Sequence, residues 1–364
     1  MTTPLAHIAE VDMLSPFVFT SWPSRVVFGS GTISQLGVEV DRLGLSRLLV
    51  VSTSQQRDQA ESVMQMLPDR TVASFFGARM HTPVSVTEDA MRLVTGNAID
   101  GIVAIGGGST TGLAKAIAYR TDLPQIVIPT TYAGSEMTPI LGETENGAKI
   151  TRSDPRILPE VVIYDVDKTL ALPVSVSVTS GLNAIAHSVE ALYAVDRNPI
   201  ITMYAEAAIS SLCSALKAIA KNPRDQLARS KALYGAWLSG ICLGSVGMAL
   251  HHKLCHVLGG TFDLPHAETH AAVLPHAVSY NSGFAKDAMY RIARALGAED
   301  AATGLYDLAH DLGCTMALRD LGMPESGVNT ASEAALKNQY PNPRPLEESG
   351  IKNLLTRAWS GIRP

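Results

Sequence analysis

A dense group of histidines is the strongest chemical signal in the sequence. Six of the ten histidines fall between residues 251 and 276. His252 and His256 lie four residues apart and therefore share one face of a helix, and His266 and His270 repeat this spacing. We expect the neighbouring His251 to point elsewhere, as a packing or surface residue. Clustered imidazoles can bind a metal, relay protons or donate hydrogen bonds to a substrate.

A second pair with helical spacing is Asn183 and His187, in SGLNAIAHSVEALYA. A carboxylate at position 183 would complete half of a metal site with the imidazole. Asparagine instead offers a neutral amide oxygen, which is a weak ligand for a transition metal. His187 also fits the role of a hydrogen-bonded core histidine, so its function stays open at this point.

Three consecutive glycines, Gly106 to Gly108, follow the apolar run GIVAI and precede a helical pattern. Glycine lets the backbone approach a ligand closely, and the positive end of a helix attracts phosphate. Ser109 can add a hydroxyl donor. The spacing differs from G-x-G-x-x-G, so a tight strand-to-helix turn is the alternative interpretation.

Hydroxyl side chains end two other predicted strands. Thr130, Thr131 and Ser135 follow the run QIVIP, at the edge where open α/β sheets bind ligands. Thr53 ends the first strand, at the place where an acidic residue often binds the adenosine ribose diol. Because no acid is present there, the sequence does not exclude NADPH.

Short β-branched runs alternate with helical patterns in the first half of the chain. Strands are predicted at Arg47–Thr53, Gly101–Ile105, Gln125–Pro129 and Val161–Asp165, with helices at 85–99 and 110–121. An edge hairpin is expected between residues 11 and 31. Helices then dominate, at 179–195, 200–220, 224–247, 250–258, 267–282, 285–296, 303–320 and 347–359. We therefore predict a dinucleotide-binding α/β domain with a mostly parallel sheet over residues 1–172 and an all-α substrate and catalytic domain over residues 173–364.

Bulk properties narrow the classes of partner. The net charge of −5 and the absence of a basic cluster argue against nucleic acid. Four scattered cysteines favour reduced thiols over a disulfide framework. No leader-like N-terminus and no apolar run of about 18 residues are seen, so we expect a cytoplasmic protein without a membrane partner.

Taken together, these motifs resemble the iron-containing alcohol dehydrogenase family, whose pattern is GGGS-x-x-D-x-A-K, P-T-T, D-x-x-x-H, H-x-x-x-H and P-H-G. The resemblance implies the dehydroquinate synthase-like fold of that family, a nicotinamide cofactor and a homodimer. It places the family's metal positions at Asn183, His187, His252 and His266, and His256 beside the nicotinamide. The implied cofactor-binding residues are Thr53, Gly107, Gly108, Ser109, Thr130, Thr131, Ser135 and Lys149.

The chain departs from this pattern at Asn183, at Gly112, where the family has Asp, and at Ala267, where it has Gly. With these departures the chain is similar to the maleylacetate reductase branch. That branch uses NADH or NADPH to reduce the C=C bond of maleylacetate to 3-oxoadipate in bacterial breakdown of aromatic compounds. The resemblance implies catalysis by His187, His252, His256 and His266 without a metal, and a small dicarboxylate substrate held by Asn183, Tyr340, Asn342 and Arg344. Arg344 is included because guanidinium pairs with carboxylate in a bidentate manner, although YPNPRP also fits an ordinary loop.

The chemistry of an activated alkene explains how a metal could be dispensable. Hydride added to the carbon β to a ketone yields a delocalised enolate, which is less basic than the alkoxide of an alcohol dehydrogenase. Hydrogen-bond donors can stabilise such an anion. Two alternatives remain: a metal-dependent alcohol dehydrogenase with Asn183 as a neutral ligand, and a catalytically silent nucleotide-binding protein. The extended segment Phe17–Phe28 is expected to pair across a subunit boundary.

Overall fold

The computed structural model describes residues 16–22, 24–145, 148–337 and 340–364. Eight strands are present in these residues: β1 (Arg25–Gly29), β2 (Leu48–Val51), β3 (Thr71–Phe75), β4 (Gly101–Gly106), β5 (Gln125–Pro129), β6 (Ile140–Glu145), β7 (Ala148–Ser153) and β8 (Val161–Asp165). Six of them form a wholly parallel sheet in the order β1-β8-β5-β4-β2-β3, and β6 and β7 form an antiparallel hairpin.

Thirteen α-helices accompany the strands in the described part of the chain. They are α1 (Leu36–Arg42), α2 (Arg57–Met66), α3 (Val84–Gly96), α4 (Gly108–Thr121), α5 (Val174–Ala191), α6 (Pro199–Lys221), α7 (Gln226–Ser245), α8 (Leu250–Phe262), α9 (His266–Asn281), α10 (Lys286–Leu296), α11 (Ala301–Asp311), α12 (Gly327–Leu336) and α13 (Glu348–Ser360). The first four accompany the parallel sheet, and the other nine form the helical second half.

The central strands are apolar throughout because both faces of the sheet are covered. Along β2, Leu48 and Val50 pack in one hydrophobic cluster, whereas Leu49 and Val51 pack in another. Successive side chains of a strand point to opposite faces, so the two clusters lie on opposite sides of the sheet. The continuous apolar runs in the sequence follow from this double burial.

The four predicted strands and most predicted helices are confirmed, with shifted ends. The N-terminal hairpin is wrong for the described residues: β1 is a single edge strand parallel to β8, and residues 16–22 contain no strand. Its first residues, 11–15, lie outside the described part. Within residues 16–22, Trp22 donates a hydrogen bond from Nε1 to the Gly244 carbonyl (2.8 Å). These residues therefore run along the helical half instead of pairing with β1.

Some elements were missed or fused in the sequence interpretation. The strands β3, β6 and β7 and the helices α1, α2 and α12 were not predicted. The predicted helix 303–320 ends at Asp311, because Gly313 adopts a left-handed φ of 80° and its N–H closes the last turn on His310. A short 3-10 turn, Leu318–Leu321, occupies the remainder.

A buried arginine joins the two halves near the predicted boundary at Leu172 and Pro173. Arg229 has no exposed surface and donates hydrogen bonds to Tyr132 Oη (3.0 Å), Ser177 Oγ (2.7 Å) and the Leu172 carbonyl (2.9 Å). Tyr132 belongs to the loop after β5, and Ser177 belongs to the first turn of α5. The helical half is therefore held against the edge of the sheet where the candidate ligand loops emerge.

One described helix, α6, is long and apolar enough to cross a membrane, and α7 with α8 would also pass if their 94° bend were disregarded. In the structure α6 packs against α5 and α7, and its residues Ile201, Ala205, Ile209 and Leu212 are fully buried in the core of the helical half.

Candidate active site

Three loops at the carboxyl edge of the parallel sheet are tied to one another. The Thr130 N–H, after β5, donates to the Gly106 carbonyl at the end of β4 (2.9 Å). Gln56, after β2, donates from Nε2 to Thr130 Oγ1 (2.6 Å), and Thr53 begins the same turn. The predicted residues Thr53 and Thr130 are thus brought together with the glycine turn.

The glycine turn leaves the start of α4 open. Gly107 precedes the helix without any side-chain cap, and Gly108 is exposed. A Cβ at Gly107 would lie 2.9 Å from Thr131 Cγ2, and Gly106 has a φ of 156° that disfavours other residues. An uncapped helix start with free N–H groups at Gly108 and Ser109 fits the pyrophosphate of a nicotinamide cofactor.

A buried lysine that the sequence analysis did not single out holds the segment after β5 against α4. Lys115, on α4, is 1% exposed and donates to the Thr138 hydroxyl (3.0 Å), the Ile140 carbonyl (3.0 Å) and the Ser135 carbonyl. Burial lowers the pKa of Lys115 to about 7, while the Glu136 carboxylate opposes this shift. Ser135 uses its carbonyl here, and its own buried hydroxyl has no hydrogen-bond partner among the described residues.

The predicted histidines gather between α5, α8 and α9. The His187 and His252 rings stack with their centroids 5.1 Å apart, and the His256 ring lies edge-on 6.5 Å from that of His252. His266 opens α9, and its ring lies 4.4 Å from that of His270. All four predicted catalytic histidines therefore belong to one cluster.

His251 and His270 form the buried floor of this cluster. Their Nε2 and Nδ1 atoms are 2.9 Å apart, and both side chains are almost fully buried. The expectation that His251 is a packing residue agrees with this burial. The expectations of a surface position and of a ring that points away from the other histidines are wrong. The signal for this contact was weak, because 19 residues separate the two histidines.

Glu190 is the residue that sequence reasoning missed at the centre of the site. Its Oε2 lies 2.6 Å from His252 Nδ1, and the carboxylate also accepts the N–H groups of Ala249 (2.9 Å) and His251 (2.8 Å). Glu190 has no exposed surface. A possible signal was its position three residues after His187 in an otherwise apolar helix.

The cluster favours neutral imidazoles. Burial lowers the pKa of His187, His256 and His270 well below the usual value, and the neighbouring charges lower it further. For His266, burial followed by Lys149 and His252 lowers the pKa to about 3. These rings are neutral at pH 7, so each can donate from one nitrogen and accept at the other.

Lys149, predicted to bind the cofactor, projects from β7 toward the histidines. Its charge acts on His81, His256 and His266, and burial lowers its own pKa. Lys149 has no acidic ion-pair partner in the described ranges. The hairpin β6–β7 therefore carries a cation whose charge reaches the histidine cluster.

The predicted substrate residues are only partly brought together. Asn183 is 6% exposed on α5, and its Oδ1 is buried without a hydrogen-bond partner among the described residues. Burial raises the pKa of Tyr340, and the negative charge of Glu190 raises it further. Asn342 pairs with Asn281, with donor–acceptor distances of 3.1 and 2.8 Å. Tyr340 thus lies within electrostatic reach of Glu190, whereas Asn342 is held by Asn281 on α9.

Arg344 lies elsewhere. Its guanidinium carbon sits 4.2 Å from the centre of the Tyr280 ring, and the side chain lines a cavity of about 410 Å³ with His276 and Arg357. No contact of Arg344 with the histidine cluster is found in the described residues. Its role as a carboxylate anchor stays a prediction.

The family's four metal positions do not fit a divalent ion well in this structure. In the described ranges, the one trio of His, Cys, Asp or Glu with ligand atoms within 4.8 Å of one another is His251, Cys255 and His270, and not the family's three histidines. Asn183 contributes no charge, and the nearby Lys149 is a cation. The donor set lacks the carboxylate that would offset the charge of an ion.

Two sequence profiles of one family together match most of the chain. The profile described as iron-containing alcohol dehydrogenase covers residues 23–166, and that of the Fe-containing alcohol dehydrogenase family, C-terminal, covers residues 177–359. The chain therefore belongs to the iron-containing alcohol dehydrogenase family, a family of oxidoreductases.

Relatives of high identity extend over nearly the whole chain. A maleylacetate reductase of Burkholderia cepacia is 53% identical, covering 96% of this chain and 100% of the relative. One from Sphingobium indicum is 52% identical, covering 96% and 99%. The crystal structure of maleylacetate reductase from Rhizobium sp. strain MTP-10005 matches with a TM-score of 0.92 at 53% identity, covering 96% of this chain and 99% of that one.

Proposed function

We propose that the chain is a maleylacetate reductase, which transfers hydride from NADH or NADPH to the C=C bond of maleylacetate and yields 3-oxoadipate. The observation that carries this proposal is the identity of 53% to a maleylacetate reductase across 96% of the chain. The site agrees with it, because a cluster of neutral histidines next to an open helix start suits hydride addition to an activated alkene.

The reaction needs two additions to the double bond. Hydride from the dihydronicotinamide forms a C–H bond at the carbon β to the ketone, and the electron pair of the C=C bond moves to the ketone oxygen as an enolate. A proton then adds at the carbon α to the ketone and restores the carbonyl. We propose that one or more of the histidines donate to the enolate oxygen and that one of them supplies this proton; the candidates are His187, His252, His256 and His266.

Binding of the cofactor is proposed at the sheet edge. Gly107, Gly108 and Ser109 offer backbone N–H groups to the pyrophosphate, and Thr130 and Thr131 line the same edge. Lys149 carries a charge that reaches the histidines, where a cation can hold either the cofactor or a substrate carboxylate. The Thr53 turn has no acid, so NADPH is accepted in this proposal as well as NADH.

We propose that the reaction proceeds without a metal. Three features support this: the neutral Asn183 in the position of the family's acidic ligand, the spread of the family's three histidines, and the Lys149 charge nearby. The enolate requires less stabilisation than an alkoxide, so the histidine donors can replace a Lewis acid.

The proposed reaction is tested by following a label from NADH that carries deuterium at C4. With maleylacetate as substrate, we expect deuterium on the carbon β to the ketone and a product that keeps its ketone. Deuterium on a carbinol carbon, with a hydroxy acid as product, would instead identify a carbonyl reductase and contradict the proposal.

We also propose that two copies of the chain form a homodimer in the cytoplasm. The support is indirect: β1 is an edge strand, and Phe17 and Val18, in the segment that precedes it in the chain, are 49% and 86% exposed. The four cysteines are free, as a reducing compartment would require. Light scattering of the purified protein should give twice the chain mass, and a monomer mass would contradict the dimer.

A further inference from the structure

We infer that Glu190 is a positioning residue, which fixes the orientation and tautomer of His252 so that this histidine presents Nε2 to the substrate. The inference rests on the proposed function, since it assigns a task within that reaction. It concerns a residue that makes no contact with the substrate and acts through the imidazole.

The Glu190 carboxylate is itself rigidly held. Oε1 accepts the His251 N–H (2.8 Å), and Oε2 accepts the Ala249 N–H (2.9 Å). These donors belong to the start of α8, whose first N–H groups have no partner within the helix. A carboxylate that is fixed in this way cannot follow the ring, so the ring must adapt to it.

The hydrogen bond decides which nitrogen of His252 carries the proton. Glu190 Oε2 lies 2.6 Å from Nδ1, and an ionised carboxylate can only accept. Nδ1 must therefore carry a proton, which leaves Nε2 as the nitrogen through which His252 can exchange a proton with the substrate. The opposite tautomer would direct the Nδ1 lone pair at the carboxylate, which is repulsive.

The other end of the ring points toward the substrate positions. His252 Nε2 is buried and has no partner among the described residues, as is also true of His187 Nδ1 and Asn183 Oδ1. The His187 ring stacks on the His252 ring with centroids 5.1 Å apart, and Asn183 lies about one turn before His187 on α5. A polar substrate group is the partner that such buried atoms require.

No other ring of the cluster has this support. His251 and His270 bond to each other, and in the described ranges Glu190 is the one carboxylate paired with a ring of the cluster. His251 and His252 lie in the first turn of α8 and Ala249 is the residue before it, so Glu190 fixes the start of α8 relative to α5, which carries Asn183 and His187. Glu190 therefore aligns the two helices that supply the substrate contacts.

A double-mutant cycle tests the inference. Glu190→Gln should lower kcat for maleylacetate about 10- to 100-fold, as loss of an orienting partner does at comparable sites, and change KM for NADH less than about twofold. His252→Gln removes Nδ1 while keeping an amide near Nε2. In that background, Glu190→Gln should lower kcat by less than about threefold, because the residue has lost the ring it acts on.

The matched control is Asp225→Asn. Asp225 is partly buried, caps α7 through the Ala228 N–H (2.9 Å) and lies outside the site, so this variant also loses a cap charge but should keep its kcat. An equal loss of kcat from Glu190→Gln in both backgrounds would show that Glu190 only caps α8, and this would overturn the inference.

Nitrogen NMR of the unmodified protein gives a second test that does not depend on activity. With ¹⁵N-labelled histidine, and His252→Gln for assignment, we expect a protonated Nδ1 in His252. A bare Nδ1 would overturn the inference. If the protein failed to reduce maleylacetate, the proposed function would fall, whereas this spectrum would still decide the position of the proton.

Discussion

At the scale of single residues, Asn183 and Glu190 divide the acidic chemistry of the site between them. The family's acidic position holds a neutral amide, while a carboxylate sits behind His252, on the side away from the unpartnered Nε2. The negative charge of Glu190 therefore orients the His252 ring and caps α8. An ion at the family's position would have no charged oxygen ligand among these residues.

Replacing Asn183 with Asp should create affinity for a divalent ion. A carboxylate beside His187 and His252 adds the missing charged ligand, and zinc binding measured by calorimetry should become at least about tenfold tighter. Without the ion, the buried carboxylate should lower the free energy of unfolding by about 1–3 kcal/mol.

The control for this change is Asn198→Asp, at a buried asparagine whose side chain caps the start of α6. It should leave zinc affinity unaltered. Unchanged zinc affinity in Asn183→Asp would show that the imidazoles no longer share a ligand geometry.

The sequence located residues of this site where the spacing is local. His252 and His256, or Asn183 and His187, are four residues apart, and helical periodicity alone placed them on one face. Glu190 was missed because its contact with His252 spans 62 residues, which no local pattern reveals. The position of Arg344 on the Tyr280 ring likewise depends on how α9 packs against α13.

At the scale of elements, the start of α4 and the hairpin β6–β7 determine how ligands reach the histidines. The strand β4 ends at the glycine turn, and α4 begins without a side-chain cap. The hairpin contacts α4 and carries Lys149. Parallel strands with apolar runs were predictable, whereas the hairpin strands were missed because they are polar and are not buried on both faces.

Gly107→Ala should weaken cofactor binding. The new methyl group would stand 2.9 Å from Thr131 Cγ2 and displace the backbone that faces the pyrophosphate. We expect KM for NADH to rise about tenfold in steady-state assays. Gly37→Ala, where a methyl group meets nothing within 4 Å, serves as the control. A KM that stays within twofold of the original would show that the cofactor does not approach Gly107.

The departure at Gly112 is explained by Thr82. A Cβ at Gly112 would overlap the Thr82 hydroxyl, and Thr82 itself adopts a left-handed φ of 45°. Gly112→Asp should therefore lower the free energy of unfolding by about 1–3 kcal/mol in urea denaturation. Adding Thr82→Gly should recover at least half of this loss. If the effects of the two substitutions on the free energy of unfolding were strictly additive, the steric explanation would be ruled out.

At the scale of the whole molecule, the helical half is held against the loops of the sheet by buried polar groups such as Arg229. The general architecture could be predicted, because an alternation of apolar runs and helical patterns leaves few topologies. The path of residues 16–22 could not, since it depends on the Trp22 contact with α7. The apolar residues of this segment favoured the prediction of a strand, which the structure does not contain there.

Buried neutral histidines make the fold sensitive to acid. Burial, aided by the Arg357 charge, lowers the pKa of His276 to about 4 from a usual 6.5. Above pH 6.5 neither the folded nor the unfolded state binds this proton, so His276 has no effect there. Between pH 6.5 and 4 only the unfolded state binds it, which costs the folded state about 1.4 kcal/mol per pH unit.

Urea denaturation at pH 7.5 and pH 5 measures this effect. His276→Phe should lose about 2 kcal/mol less stability than the original protein between the two values. His310→Phe, on the exposed end of α11, controls for the loss of one imidazole. An identical pH dependence in His276→Phe and the original protein would contradict the assignment.

The most direct test of the account is turnover of maleylacetate with NADH after exhaustive chelation, with the metal content of the same sample measured. We predict undiminished turnover with far less than one transition-metal ion per chain, since the histidines stabilise the enolate. Loss of turnover on chelation, restored by added iron or zinc, would contradict the metal-free mechanism.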